Sequence, residues 1–301
     1  MPENTAEINY PSQYVEVLGS KIHYIEHGSG DPILFLHTVP ASSYSWRNII
    51  PFLAPLGCCI AVDLIGMGKS AKPDIAYTIE DHIHYIEEFI RVKNLKNITL
   101  VMHGWGSLIG CHYAVNHEDN CKGLIFYESF LRPLQGNDLS LPFQEQLLEL
   151  RRQEETLSVA AGTYWIDKIF LQSMMHPISS EMLKHYRQPY EPNNPDALSA
   201  EKALKQYLNE LPKGDGKGKI DNLIENYSKK LTQSQLAKLL LFSVPGFITT
   251  IPTIMWAKEN LPKLEVGDLG EELHFAQEAY PQLMGELMSA WLQAVEQQTV
   301  I

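Results

Sequence analysis

The residues able to do chemistry in this 301-residue chain sit where its apolar runs end. The run Ile98 to Met102 stops at His103-Gly104-Trp105-Gly106 and continues as a helical pattern from Ser107 to His117, a strand-turn-helix. Such an elbow holds its apex in a strained, exposed conformation from which a side chain can attack a substrate. Here the apex is Gly104, which carries no attacking atom. Glu128 follows the apolar run Leu124 to Tyr127, and His274 follows a weaker strand around Leu264-Glu265-Val266. Apex, acid, histidine is the chain order of nucleophile, acid and base. Glu128 would orient His274 through one ring nitrogen and leave the other as a general base; the alternative is a pair kept because it packs. His37-Thr38-Val39-Pro40, Asp63 and Ser243 end three further apolar runs. In a doubly wound sheet the ligand site lies at these carboxyl ends.

The elements that must position these residues are legible from periodicity. Val15-Glu16-Val17 and Ile22 to Glu26 flank Gly19-Ser20 as a β-hairpin, which implies two edge strands. Ile33–Leu36 and Cys59–Val62 are short, wholly apolar runs suited to a parallel sheet covered on both faces, with Tyr44 to Leu53 as a crossover helix between them. Tyr77 to Val92 has helical spacing, with Thr78 and Asp81 available at its start. Leu239 to Phe242, the helical Thr250 to Glu259 and a closing helix Tyr280 to Val295 complete a mostly parallel, doubly wound α/β sheet. Between them the pattern turns rich in Leu, Gln, Glu and Met, with helices at Phe143 to Glu154, Ser158 to Gln172 and Asp221 to Leu231, broken by Pro189, Pro192, Pro195 and the Gly-Lys run 214–219. The expected organisation is a core of residues 1–130 and 236–301 with a helical cap inserted at 131–235. Phe143, Tyr164, Trp165, Phe170, Met174 and Met175 are expected mostly in the core. Some of them would line an apolar substrate pocket with Ser243, Phe247 and Ile248.

Composition narrows the function classes. A 45% hydrophobic content supports a full core, and a formal charge of −12 disfavours nucleic acid and anionic membranes, which want clustered Lys and Arg. Met1 to Tyr10 carries no apolar signal segment and no run reaches a membrane span. Cys58, Cys59, Cys111 and Cys121 lie within apolar patterns without Cys-x-x-Cys pairing, so buried free thiols in a reducing, cytoplasmic compartment are expected, and no metal site. The Asn-x-Ser/Thr matches at Asn97 and Asn226 are then chance. Gly66-x-Gly68 lacks the spacing and context of a dinucleotide fingerprint, and no cofactor is implied.

Longer stretches carry a resemblance. Asp63-Leu64-Ile65-Gly66-Met67-Gly68-Lys69-Ser70, Tyr127-Glu128-Ser129-Phe130-Leu131-Arg132-Pro133, His185-Tyr186-Arg187, Asn209-Glu210-Leu211-Pro212 and Leu273-His274-Phe275-Ala276-Gln277-Glu278 resemble the haloalkane dehalogenase family of the α/β-hydrolase fold, in the branch with its acid after the strand following the elbow. The resemblance implies an aspartate nucleophile at the elbow, a histidine–acid pair that activates water, and a Trp and an Asn holding the departing halide. It places the base at His274, the acid at Glu128 and the halide-side indole at Trp105. It also implies that Gly104 replaces the aspartate, Val39 the Asn and Thr38 the preceding Gly, and that Val244 stands where a polar residue is frequent. Ordinary dehalogenation is not expected without the carboxylate.

Thr38 reads as a donor beside the Val39 and Trp105 amides, a pocket for developing negative charge, or as a plain loop substitution. His103 is expected under the elbow, Ser107 to satisfy the helix start or point away, and Asp63 to fix its loop. The expected function is noncovalent acid–base chemistry by His274 and Glu128 on a small apolar substrate: elimination, cyclisation, isomerisation or addition, in a role suited to secondary metabolism. The alternatives are an inactive hydrolase fold that binds a ligand, and a residual hydrolase or dehalogenase using water directly.

Overall fold

Along each inner strand successive residues enter two opposite apolar layers, and that period of two builds the sheet. The computed structural model describes residues 5–134, 138–154, 161–212 and 218–299. Its eight-stranded sheet runs in the order β1 (Ser12–Val17), β2 (Ser20–His27), β4 (Cys58–Val62), β3 (Pro32–Leu36), β5 (Ile98–Gly104), β6 (Cys121–Ser129), β7 (Ala237–Pro245), β8 (Leu264–Glu272). The pairs from β4 through β8 are parallel, and β2 is antiparallel to both of its neighbours. Leu34, Leu36, Leu100 and Met102 face one layer, while Phe35, Val101, Ile125 and Tyr127 face the other.

The hairpin forms, but only β1 of its two strands is an edge. Tyr24 pairs with Val62, and the buried Ile22, Tyr24 and Ile25 make β2 an interior strand. The expected crossover helix is split into a 3-10 turn, Ser43–Trp46, and a short α1 (Ile50–Leu53) with Pro51 in its first turn. Helix α2 (Ile79–Val92) starts at a capping box in which Thr78 Oγ1 accepts the Asp81 amide at 3.2 Å and Asp81 Oδ2 accepts the Thr78 amide at 2.9 Å. Helix α3 (Trp105–Asn116) leaves β5 with no intervening loop.

Between β6 and β7 the chain forms α4 (Leu141–Glu154), α5 (Ala161–Tyr164), a π-helical turn Trp165–Phe170, α6 (Ser180–Arg187), α7 (Ala197–Glu210) and α8 (Lys219–Leu231). The start of the expected helix at 158–160 and positions 214–217 of the Gly-Lys run lie outside the described residues. Helices α6 and α7, unexpected amid the prolines, form between Pro177 and Pro189 and between Pro195 and Pro212. Phe143, Trp165, Phe170 and Ile224 share one apolar layer with Leu100 and Met102, so these helices continue the core. Helices α9 (Ile251–Asn260), α10 (Ala276–Ala279) and α11 (Pro281–Thr299) follow, α11 covering the second face through Met284, Met288 and Trp291. Among the described residues no helix is long and apolar enough to cross a membrane, and the four cysteines are free.

Candidate active site

Parallel register brings the ends of the central strands together: Leu36 lies opposite Met102, and Gly104 opposite Ser129. The residues just beyond β3, at the end of β5, within the end of β6 and beyond β8 therefore converge. Gly104 adopts φ +52°, ψ −117°, the left-handed half of backbone space that an elbow requires and glycine tolerates. A Cβ built there would lie 2.1 Å from Thr38 Oγ1, 2.6 Å from Thr38 Cβ and 3.3 Å from His274 Nε2. The Thr38 side chain thus occupies the space into which an elbow side chain would project.

Thr38 Oγ1 lies 3.2 Å from His274 Nε2 and accepts the Trp105 amide at 3.4 Å. On the other side of the ring, His274 Nδ1 lies 3.0 Å from Glu128 Oε2. A carboxylate only accepts, so Nδ1 carries the proton, and in the neutral ring Nε2 accepts the Thr38 hydroxyl. The result is a buried hydroxyl–imidazole–carboxylate chain.

Each member is fixed by its surroundings. Glu128 Oε2 accepts the Phe247 and Ile248 amides, both at 2.8 Å, and Oε1 accepts the Thr249 amide at 3.2 Å, donors suited to a charged acceptor. Gly246 at φ +65° turns the chain so that these amides converge; a Cβ there would lie 2.8 Å from Glu128 Oε1. Glu128 itself sits at φ +45°, rare for a residue with a side chain. His37 Nε2 accepts the Leu64 amide at 3.0 Å, so its Nδ1–H donates to the Thr38 carbonyl at 2.6 Å and pins the loop after β3. The His274 amide donates to the Ser173 carbonyl at 3.0 Å, tying the histidine loop to the inserted helices. A second tie follows four residues on: Arg47 is bidentate to Glu278 at 2.7 Å on both arms, and the Tyr186 hydroxyl donates to the same carboxylate.

The remaining sequence candidates separate. His103 is fully buried under the elbow, its ring 4.5 Å from that of His274, and burial pushes its pKa well below the ordinary histidine range, helped by the neighbouring imidazole. Ser107 donates to the Gly104 carbonyl at 2.6 Å and accepts the Phe130 amide at 3.0 Å, so it ties the elbow to the end of β6 and caps no helix amide. Asp63 accepts the Ser43 and Lys69 amides, both at 2.7 Å, and pairs with His23 at 2.8 Å; burial opposes its ionisation, but these partners hold it below the usual carboxylate range.

A narrow cavity of about 20 Å³, on the scale of one water, adjoins His274. Of the expected pocket residues Phe143, Trp165, Phe170 and Phe247 line it, together with Val39. Met174, Ser243 and Ile248 do not. Met174 packs against the core, Ser243 bonds the Tyr127 hydroxyl at 3.3 Å, and Ile248 contributes its amide to Glu128. Trp105 is also away from the cavity: it is fully buried edge-on to Tyr207 and His82, and its indole N–H has no partner among the described residues. Val244 is 38% exposed and takes no part. Sequence reasoning missed Pro40, Gln146, Ile169, Ser173, Tyr207, Leu211 and Phe275 in the wall; the four-residue spacings of Ile169 and Ser173 and of Tyr207 and Leu211 are the signal that marks a shared face. A larger hollow of about 170 Å³, between Tyr44, Asp63, Lys69, Lys72 and His185, contains no member of the Thr38–His274–Glu128 chain.

Comparison with known proteins agrees with this geometry. The family model for the alpha/beta hydrolase fold matches residues 31–261. A haloalkane dehalogenase of Agrobacterium fabrum is 34% identical over 279 residues, covering 92% of this chain and 90% of its own length. Coelenterazine h 2-monooxygenase of Renilla reniformis is 29% identical over 288 residues, 93% of this chain and 90% of that protein. Among solved structures, the haloalkane dehalogenase DatA of Agrobacterium tumefaciens C58 superposes with a TM-score of 0.87 at 32% identity, over 98% of this chain and 100% of its own. With an eight-stranded α/β-hydrolase sheet, an elbow at the end of β5 and relatives that match it nearly end to end, this chain belongs to the haloalkane dehalogenase family of the α/β-hydrolase superfamily.

Proposed function

We propose that this protein is an enzyme that uses His274, oriented by Glu128, as a general base on a small, apolar substrate bound beneath a cap formed by residues 131–235, and that it does not form the alkyl–aspartyl intermediate of a dehalogenase. The observation carrying this reading is that the base and its acid partner are in hydrogen-bonding position while the elbow residue beside them is Gly104. Elimination, isomerisation, cyclisation and addition of water all need a base and no carboxylate nucleophile. The relatives include a dehalogenase and a monooxygenase at comparable identity, so family membership alone does not choose the reaction. The reading expects no halide release from short brominated and iodinated alkanes by the natural protein. Release that disappears in His274→Ala would overturn it in favour of direct attack by water.

One observation favours a second reading, a hydrolase fold retained as a ligand-binding protein: the Thr38 hydroxyl already satisfies His274 Nε2 within the protein. Under that reading the natural protein binds small apolar ligands, followed by calorimetry, and converts none of them.

A further inference from the structure

The absent side chain at Gly104 and the hydroxyl at Thr38 are one feature. An oxygen stands 2.1 Å from where the elbow Cβ would be, and it is delivered from the opposing loop after β3. It has the partners that activate a nucleophilic hydroxyl. On one side is an imidazole nitrogen at 3.2 Å, backed by a carboxylate at 3.0 Å from the other ring nitrogen. On the other is the Trp105 N–H at 3.4 Å, in the first turn of the twelve-residue helix α3, which favours negative charge developing on that oxygen. Val39 and Pro40, the next residues of the same loop, line the apolar cavity together with His274, the residue whose Nε2 the hydroxyl meets at 3.2 Å.

We propose that Thr38 Oγ1 is a nucleophile and that this site transfers acyl groups from small apolar esters. The proposal rests on His274 and Glu128 acting as the base and adds what that base deprotonates. As Oγ1 bonds the ester carbonyl carbon, its proton passes to His274 Nε2 and the carbonyl electron pair moves onto oxygen. Collapse of that oxyanion breaks the bond to the alcohol, which leaves with the proton from Nε2, and Thr38 is acylated. Water then gives a proton to Nε2 and attacks the acyl carbon; Oγ1 departs and takes the proton back. The sum is ester plus water to acid plus alcohol, with no redox partner. The chemistry selects the substrate class. A threonine that displaced halide from an alkyl halide would become an ether, which a histidine-activated water does not cleave, whereas an acyl-threonine is hydrolysable.

The test is p-nitrophenyl acetate and p-nitrophenyl butyrate with the natural protein, read by the nitrophenol burst and by peptide mass spectrometry for an acylated residue. The expected result is a burst with the acyl group on Thr38, retained in Thr38→Ser and slowed at least about 100-fold in Thr38→Val and in His274→Ala. The adduct on the natural protein is read whether or not either variant folds. No burst and no hydrolysis by the natural protein, an adduct elsewhere, or full activity in Thr38→Val overturns the proposal. Hydrolysis that survives Thr38→Val but is lost in His274→Ala refutes the Thr38 nucleophile and leaves the base intact. Hydrolysis that survives both removes the base as well.

Discussion

Placing an aspartate at the elbow should fail unless Thr38 is removed with it. In Gly104→Asp the new Cβ meets Thr38 Oγ1 at 2.1 Å and Thr38 Cβ at 2.6 Å, separations that no side-chain rotation at position 104 relieves, because the Cβ position is set by the backbone. Overpacking of this kind costs about 1–3 kcal/mol or more. A side chain at φ +52° adds about 1–3 kcal/mol of backbone strain. The single variant should therefore lose about 2–6 kcal/mol out of the roughly 5–15 kcal/mol that hold a domain folded, lowering Tm by roughly 4–20 °C. Thr38→Gly in the same chain removes the clash and leaves the backbone term, so Gly104→Asp/Thr38→Gly should recover about half of that loss despite carrying a second change. Two assays follow the series: thermal unfolding, and halide release from short bromoalkanes. No release is expected from Gly104→Asp. Sustained release is expected from Gly104→Asp/Thr38→Gly/Val39→Asn, and adding His274→Ala should stop it after a single turnover, because halide leaves as the ester forms and the base acts only on the hydrolysis of that ester. If Gly104→Asp alone is as stable as the natural protein and turns over bromoalkanes with Thr38 in place, the reasoning that Thr38 fills the elbow is wrong.

Three other outcomes follow from the same contacts. Gly246→Ala puts a Cβ 2.8 Å from Glu128 Oε1 at φ +65°, and should cost about 1–3 kcal/mol in denaturant unfolding. Glu128→Gln keeps the volume but leaves either an amide or the His274 Nδ1–H without an acceptor; a loss of about 1–3 kcal/mol is expected, together with loss of any His274-dependent turnover. His82 is pushed down to about 4, mainly by burial and secondarily by His37, so the unfolded chain binds a proton more readily than the folded one between about pH 6.5 and 4. Stability from this residue is complete above about 6.5 and erodes by about 3 kcal/mol as pH falls to about 4, then levels off. Tm against pH should lose that slope in His82→Phe, provided the variant folds as judged by circular dichroism.

Much of the scaffold is legible because it rests on short-range rules. Apolar runs that end in polar residues mark the parallel strands, and the Thr78–Asp81 pair marks the start of α2. The same reasoning finds Gly104, Glu128 and His274, since each lies at a strand end or just beyond one. What it misses is set across the sheet. Thr38 and His274 are 236 residues apart, and the register of β3, β5 and β6 brings the hydroxyl to the ring, so a residue with two open readings in sequence becomes the direct partner of the His274 imidazole. Trp105 shows the converse. Its place beside the apex suggests a group facing the ligand, while Tyr207 of the inserted helices covers its ring and removes it from the cavity wall. The cavity residues from α4 and α7 look like any amphipathic core positions until the helices are packed.

The tie at Glu278 bears on how a molecule gets in and how long it stays. Its carboxylate joins Arg47 of the sheet side to Tyr186 of the inserted helices, and both ion-pair side chains are 1% exposed. Swinging the helices away would break the Tyr186 hydrogen bond to that carboxylate, at about 1.5–3 kcal/mol for a bond to a charged group, and leave the Arg47–Glu278 pair in place. Traffic to a cavity of about 20 Å³ is thus channelled through rotations of the aromatic rings around it. A guest small enough to pass a turning ring would therefore enter sooner than a bulky one.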